Sequence, residues 1–138
     1  MNILFLCVGN SARSQIAEGL AKSMMGSEHN IQSAGSSPAG FIHDGAIFTM
    51  KDIGVDISSQ SSKAIDDIDD QFIDNLDYII TLCAEEVCPS MQNNAKKIHW
   101  PTLDPAVENI STHHQRILFT NTRQNIFKML KKFFTSEI

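Results

Sequence analysis

Apolar residues follow two alternating patterns along the chain, short continuous runs and longer stretches with helical spacing. The continuous runs are rich in Ile, Leu and Val and predict four strands, over residues 3–8, 30–34, 78–82 and 97–100. Between and after them, apolar residues recur three and four positions apart, which predicts amphipathic helices over residues 14–25, 45–53 and 114–134. Because strand and helix alternate, the pattern indicates one α/β domain over residues 1–138, with an open four-stranded parallel sheet and helices on both faces.

The helical spacing also predicts which side chains face the core. The apolar face of the second helix includes Met50 and Ile53. That of the last helix begins at Ile117, and among its phenylalanines we expect Phe127 and Phe133 to be buried. Ligands of open α/β folds bind beyond the carboxyl ends of the strands, so we expect the functional site directly after the first strand.

Composition and charge disfavour several classes of function. The net charge of -5, with little clustering of Lys and Arg, disfavours a nucleic-acid partner. No apolar run is long enough to span a membrane, and the apolar start of the chain lacks a basic leader, so we expect a cytoplasmic protein with no membrane partner. The three cysteines favour catalysis or redox chemistry over a disulfide framework. No histidine has a recognised metal-ligand spacing, so we expect no metal site.

A short polar segment lies between the first strand and the first helix, and it reads Cys7-Val8-Gly9-Asn10-Ser11-Ala12-Arg13-Ser14. A tight turn of this kind directs backbone N–H groups inward, and with the helix N-terminus they form a cradle for a tetrahedral oxyanion. Gly9 is expected to adopt the unusual backbone angles of the turn, and Arg13 to close the cradle by gripping two oxygens. We therefore predict that residues 8–14 bind the substrate.

Cys7 stands at the end of the strand and is expected to face the centre of this cradle. Inward N–H groups and Arg13 would stabilise its thiolate, so that it acts as a nucleophile at neutral pH. The Ser14 hydroxyl can donate to the thiolate and the Asn10 amide can brace the loop, although helix capping and ordinary turn chemistry explain the same residue types. A buried, inert cysteine is the alternative interpretation of Cys7.

The segment from Cys7 to Gln15 resembles the loop shared by low-molecular-weight tyrosine phosphatases and thioredoxin-coupled arsenate reductases. The resemblance extends along nearly the whole chain and implies the low-molecular-weight phosphatase fold. Ser33-Ala34-Gly35 looks like the end of the second strand of that fold. The acid loop of the arsenate reductases is similar to His99-Trp100-Pro101-Thr102-Leu103-Asp104-Pro105-Ala106.

Residues other than the nucleophile favour a resemblance to the reductases over one to the phosphatases. The phosphatases usually have a second cysteine inside the loop, a proline after Arg-Ser and a tyrosine after Asp-Pro. This chain has Ala12, Gln15 and Ala106 at these three places. The reductases need two further cysteines, and Cys83 and Cys88 supply them.

The resemblance to the reductases implies a relay of thiols. Cys7 attacks arsenate, and Asp104 protonates the departing oxygen as a general acid; an ordinary Asp-Pro turn is the other interpretation of Asp104. Cys83 then attacks Cys7 and releases arsenite, and Cys88 attacks Cys83 to free Cys7. Thioredoxin reduces the resulting disulfide. A low-molecular-weight tyrosine phosphatase is the alternative function, and a non-catalytic anion-binding domain is a second, although binding alone needs neither a nucleophile nor an acid.

Two departures from the family pattern concern the details. Four residues separate Cys83 from Cys88, fewer than in the best-described reductases. Members that bind a structural potassium ion use Asn, Glu, Ser and Asp side chains; Asn10, Glu18 and Ser33 match, but Lys63 stands near the expected Asp. An ammonium group there could replace the ion, so we expect no cofactor and no activation by potassium. We also expect a monomer.

Overall fold

A parallel sheet organises the protein, whose computed structural model describes residues 1–84, 89–91 and 93–137. The strands are β1 (Asn2–Cys7), β2 (Asn30–Gly35), β3 (Tyr78–Thr81) and β4 (Lys96–His99), in the order β2-β1-β3-β4. The α-helices of this described part are α1 (Arg13–Met25), α2 (Asp44–Lys51), α3 (Asp70–Asp74) and α4 (Thr112–Glu137). The predicted α/β fold with four parallel strands is confirmed, and every strand lies within one residue of its expected position.

Both faces of the sheet are covered, as expected for parallel strands whose side chains alternate between the two faces. On one face, Ile3, Phe5 and the inner sides of α1, α2 and α4 form one hydrophobic cluster. On the other face, Leu4 and Leu6 pack in a second cluster with apolar side chains around α3. Strand β1 is therefore buried from both sides, which fixes the position of its carboxyl end.

Three side chains that the helical spacing placed in the core are exposed: Phe127 by 41%, Ile117 by 45% and Ile53 by 46%. Helix α2 ends at Lys51, so Ile53 lies outside the helical register that predicted its burial. The buried face of α4 consists of Phe119, Thr122, Ile126, Leu130 and Phe133. Residues 117 and 127 lie on the opposite side of the helix, which faces solvent. The prediction for Phe133 is confirmed, whereas that for Phe127 is wrong. In the described part of the chain no helix combines the length and apolar character needed to cross a membrane.

Phe119 and Phe127 form a matched pair for testing which side of α4 holds the core. Phe119 is fully buried, and its ring stacks on that of His43 with centroids 4.9 Å apart. We expect Phe119→Ala to lower the free energy of unfolding by about 3–5 kcal/mol, because it leaves a cavity in the core. Phe127→Ala should lower it by less than about 1 kcal/mol, as at other surface positions. Urea denaturation of both variants measures the difference, and equal losses would contradict this packing.

The carboxyl ends of β1 and β3 lie side by side at one edge of the sheet. The Leu82 N–H donates to the Leu6 carbonyl at 2.9 Å, which extends the pairing of the two strands to the residues before Cys7 and Cys83. The Thr102 N–H donates to the Leu82 carbonyl at 3.1 Å. This pairing brings the loop after β4 to the same edge, where the nucleophile was expected.

Candidate active site

The loop between β1 and α1 turns its carbonyl groups outward. The carbonyls of Val8, Gly9 and Ser11 accept hydrogen bonds of 3.0, 2.8 and 2.9 Å from backbone N–H groups of segment 37–43. The Asn10 carbonyl accepts at 3.0 Å from a side-chain amide of α1. In a planar trans peptide the next N–H points opposite to the carbonyl, so the N–H groups of the loop face its inside. This arrangement forms a cradle suited to a tetrahedral anion.

Cys7 lies at the bottom of this cradle as a free thiol that is 2% exposed. Two groups approach its sulfur: the Asn10 N–H donates to Sγ at 3.2 Å, and the Ser14 hydroxyl lies 2.8 Å away. Donors directed at sulfur stabilise a thiolate more than a thiol. The surroundings of Cys7 are those of a nucleophile and differ from those of an inert cysteine packed among apolar side chains.

The left-handed backbone of the loop falls on Asn10, with φ of 47°, and not on Gly9, where the unusual angles were expected. Asparagine tolerates this conformation because its short polar side chain bonds locally. The glycine that the loop does require is Gly35, at the end of β2. A Cβ atom there would lie 2.3 Å from the Val8 carbonyl oxygen, so any side chain would displace the loop.

Two glutamine side chains, the buried Gln15 and the half-buried Gln60, brace the loop from outside. Gln15 Nε2 donates to the carbonyls of Asn10 and Ser61, both at 3.0 Å. Gln60 Nε2 in turn donates to the Gln15 side-chain oxygen at 2.9 Å and to its carbonyl at 3.1 Å. From the sequence, Gln15 stands out only as a departure from the phosphatases, and Gln60 does not stand out at all. Neither residue carries a signal in the sequence, because the groups that bond each amide lie elsewhere along the chain.

Arg13 and Asp104 meet at the rim of the cradle. Arg13 is 5% exposed; its Nη1 donates to the Thr102 carbonyl at 3.0 Å, and its Nη2 lies 3.9 Å from Asp104 Oδ2. The other carboxylate oxygen of Asp104 accepts from the Ala106 N–H at 3.0 Å. Asp104 therefore forms the Asp-Pro turn and also faces the site, so its two interpretations are compatible.

Cys83 lies one residue beyond Leu82, at the same edge of the sheet as Cys7. It is buried and disulfide-bonded, in contrast to the free thiol of Cys7. Cys88 falls outside the described residues. The structure thus brings four of the predicted site residues to one edge of the sheet: Cys7, Arg13, Cys83 and Asp104.

Below the loop, a buried carboxylate pairs with lysine. Glu18 is 3% exposed and accepts from Ser33 Oγ at 2.6 Å and from Lys22 Nζ at 2.5 Å. Lys63 bonds the loop through its backbone, since its N–H donates to Asn10 Oδ1 at 2.9 Å. Desolvation lowers the pKa of Lys63, and the charge of Glu18 partly opposes this shift. The direct cationic partner of Glu18 is thus Lys22, a pairing that was not predicted from the sequence.

Comparisons with known proteins show the family of this chain. The family model described as low molecular weight phosphotyrosine protein phosphatase matches residues 2–137. An arsenate reductase from Halalkalibacterium halodurans is 40% identical over 133 residues, which cover 95% of this chain and 93% of that protein. A solved structure described as an arsenate reductase in the phosphate binding state has a TM-score of 0.76 at 26% identity, covering 97% of this chain and 96% of the other. A thioredoxin-dependent arsenate reductase from Corynebacterium glutamicum has a TM-score of 0.68 at 30% identity, covering 97% and 62%.

These similarities span nearly the whole chain, so the matched range contains both the anion loop and the loop of Asp104. The family match alone includes phosphatases, whereas the relative at 40% identity over 95% of the chain is an arsenate reductase. The chain also has a cysteine at the end of β1 and a second cysteine beyond β3. It therefore belongs to the low molecular weight phosphotyrosine protein phosphatase family, and within it to the arsenate reductases.

Proposed function

We propose that this protein reduces arsenate to arsenite through a relay of three cysteines that thioredoxin regenerates. The observation that carries the proposal is the pairing of β1 with β3. It sets Cys7, in its cradle of N–H groups, at the same sheet edge as a second cysteine, Cys83. Reduction of arsenic(V) to arsenic(III) takes two electrons, and a pair of thiols that becomes a disulfide supplies two.

The first half of the relay uses the residues around the cradle. The loop N–H groups and Arg13 bind arsenate, and the Cys7 thiolate forms a bond to arsenic. An oxygen leaves as water, and Asp104, half-exposed beside Arg13, is placed to give it a proton. Cys83 then attacks Cys7 Sγ. The sulfur–arsenic bond breaks, its electron pair stays on arsenic, and arsenite leaves with a Cys7–Cys83 disulfide remaining on the protein.

The second half of the relay moves the disulfide away from the nucleophile. Cys88 attacks Cys83, which frees Cys7 as a thiolate, and thioredoxin reduces the remaining disulfide in two exchange steps. The structure has Cys83 in a disulfide and Cys7 as a free thiol, which is the state expected before thioredoxin acts. The name of the Corynebacterium glutamicum relative, a thioredoxin-dependent arsenate reductase, supports thioredoxin as the reductant. We further propose that the protein acts as a monomer in the cytoplasm, where the reductant keeps thiols reduced.

Coupled turnover tests the proposal. The purified protein is supplied with arsenate, thioredoxin, thioredoxin reductase and NADPH, and arsenate-dependent oxidation of NADPH is followed. We expect steady oxidation that requires thioredoxin. Hydrolysis of p-nitrophenyl phosphate without oxidation of NADPH would instead support the alternative function, a phosphatase. Binding of arsenate with neither activity would indicate a non-catalytic anion-binding domain.

The residues at the potassium position of the family do not fit a potassium ion in this chain. Each carboxylate oxygen of Glu18 already has a donor: Oε1 accepts from Ser33 Oγ, and Oε2 accepts from Lys22 Nζ. Asn10 Oδ1 accepts from the backbone N–H of Lys63. The ammonium groups of two lysines also repel a further cation from this place. We propose that the protein needs no potassium.

Potassium should therefore leave turnover unchanged. Replacing sodium chloride by potassium chloride at equal ionic strength is expected to give the same kcat and KM for arsenate. The measurement is the coupled assay, with choline chloride as a third salt that reports the effect of ionic strength alone. A rise in rate with potassium but not with choline would contradict the proposal.

A further inference from the structure

A chain of hydrogen bonds runs from the Cys7 sulfur to a buried carboxylate of α1. The Ser14 hydroxyl lies 2.8 Å from Cys7 Sγ and accepts from Asn10 Nδ2 at 2.8 Å. The same amide nitrogen donates to Ser33 Oγ at 2.9 Å. Ser33 Oγ then donates to Glu18 Oε1 at 2.6 Å. All five side chains are buried, so water does not offer them alternative partners.

The groups at the far side of this chain determine its direction. The Lys63 backbone N–H can only donate; it bonds Asn10 Oδ1 at 2.9 Å and so turns the amide NH2 toward both serines. An ionised carboxylate can only accept, so Ser33 directs its proton at Glu18 and receives one from Asn10. Ser14 likewise receives a proton from Asn10. Its own proton is thereby left to point at the sulfur.

Two lysines stand beside the carboxylate of Glu18, whose role as an acceptor sets this direction. Lys22 stands one helical turn after Glu18, with Nζ 2.5 Å from Oε2. Lys63 lies close enough for the charge of Glu18 to raise its pKa against the lowering by desolvation. Because this carboxylate is only 3% exposed, the folded protein would be much less stable without such partners for it.

We propose that Glu18, in its ion pair with Lys22, is a positioning residue for Cys7. Through the side chains between them it directs the Ser14 hydroxyl proton at the sulfur, and this hydrogen bond stabilises the thiolate over the thiol. The inference rests on the proposed function only where it takes arsenate as the molecule that the thiolate attacks. Hydrolysis of a phosphate ester would need the same thiolate.

The test measures the reactivity of Cys7 without using arsenate. In full-length protein carrying Cys83→Ser and Cys88→Ser, Cys7 is the only thiol, and its alkylation by iodoacetamide at pH 7 is followed by mass spectrometry. In Glu18→Gln the two ammonium groups attract the amide oxygen, which leaves an NH2 group facing Ser33 in place of an acceptor. We expect alkylation to slow about fivefold or more, since a hydrogen bond to a charged group is worth at least that factor. The absorbance of the thiolate at 240 nm should fall with the rate.

Lysine variants keep the test decisive if Glu18→Gln does not fold. Lys22→Met should slow alkylation in the same direction, and Lys22→Arg should restore the wild-type rate because it keeps the cation. Lys132→Met, an equal change of charge on the exposed side of α4, is the control and should have no effect. Wild-type alkylation rates in both Glu18→Gln and Lys22→Met would overturn the inference, as would equal slowing by Lys22→Met and Lys132→Met.

The outcomes separate this inference from the proposed function. Slower alkylation in the Glu18 and Lys22 variants of a protein that does not reduce arsenate would support the inference and contradict the function. Arsenate reduction by the wild type together with unchanged alkylation in these variants would support the function and overturn the inference.

Discussion

Replacing Cys83 with serine is expected to abolish arsenate reduction while leaving Cys7 reactive. Without the second thiol, the Cys7–arsenic adduct has no partner that can attack its sulfur and take up the oxidation. A serine hydroxyl does not enter thiol–disulfide exchange, so we expect kcat in the coupled assay to fall by at least about a thousandfold.

Alkylation of Cys7 by iodoacetamide provides the control for this variant. Cys83→Ser changes none of the donors around Cys7, namely the Asn10 N–H and the Ser14 hydroxyl, so the rate of alkylation should match that of reduced wild-type protein. Thioredoxin-dependent turnover that survives in Cys83→Ser would refute the relay. A simultaneous loss of Cys7 reactivity would instead show that Cys83 acts on the nucleophile itself.

Arg13→Lys is expected to lower kcat/KM for arsenate about a hundredfold, the loss typical of removing one hydrogen-bond donor that stabilises the transition state. The guanidinium can bond the Thr102 carbonyl, approach Asp104 and still present N–H groups to the anion. A lysine carries the same charge, but its single ammonium group cannot form the planar fork that binds two oxygens. The measurement is kcat/KM from initial rates at several arsenate concentrations.

Arg123→Lys is the matched control, since it makes the same change far from the cradle. Arg123 Nη1 donates to the carbonyl and hydroxyl oxygens of Thr49, at 2.6 and 3.1 Å, and so joins α4 to α2. We expect Arg123→Lys to lower thermal stability and to leave kcat/KM near the wild-type value. Similar losses of kcat/KM in both variants would indicate a general effect of the substitution and not a role for Arg13 in binding the anion.

The sequence was sufficient for the features that local chemistry determines. Buried parallel strands require continuous apolar runs, so the four strands and their alternation with helices could be predicted. The strand, the polar turn and the helix around Cys7 follow one another within a few residues, and their order alone predicts an N–H cradle. Arg13 could be named from the same segment, whereas Asp104 could be named only through the resemblance to a family, because it reaches the cradle from a distant position in the chain.

Contacts between distant segments account for what the sequence did not predict. Gln15 and Gln60 lie 45 positions apart, and neither shows by itself that it braces the loop. The apolar spacing of a long helix is compatible with burial of more than one of its faces. In α4 the packing buries Phe119 and leaves Phe127 exposed. The left-handed backbone angle was expected at Gly9 but occurs at Asn10, because neighbouring groups bond the asparagine amide on both sides.

Trapping the first disulfide tests the central claim most directly. Reduced Cys88→Ser protein is mixed with excess arsenate and no thioredoxin, blocked with N-ethylmaleimide, digested and mapped by mass spectrometry, while arsenite is quantified. Cys7→Ser in the same background serves as the control. The account predicts a Cys7–Cys83 disulfide and arsenite in an amount equal to that of the protein. Recovery of Cys7 and Cys83 as separate maleimide adducts, with no arsenite formed, would contradict it.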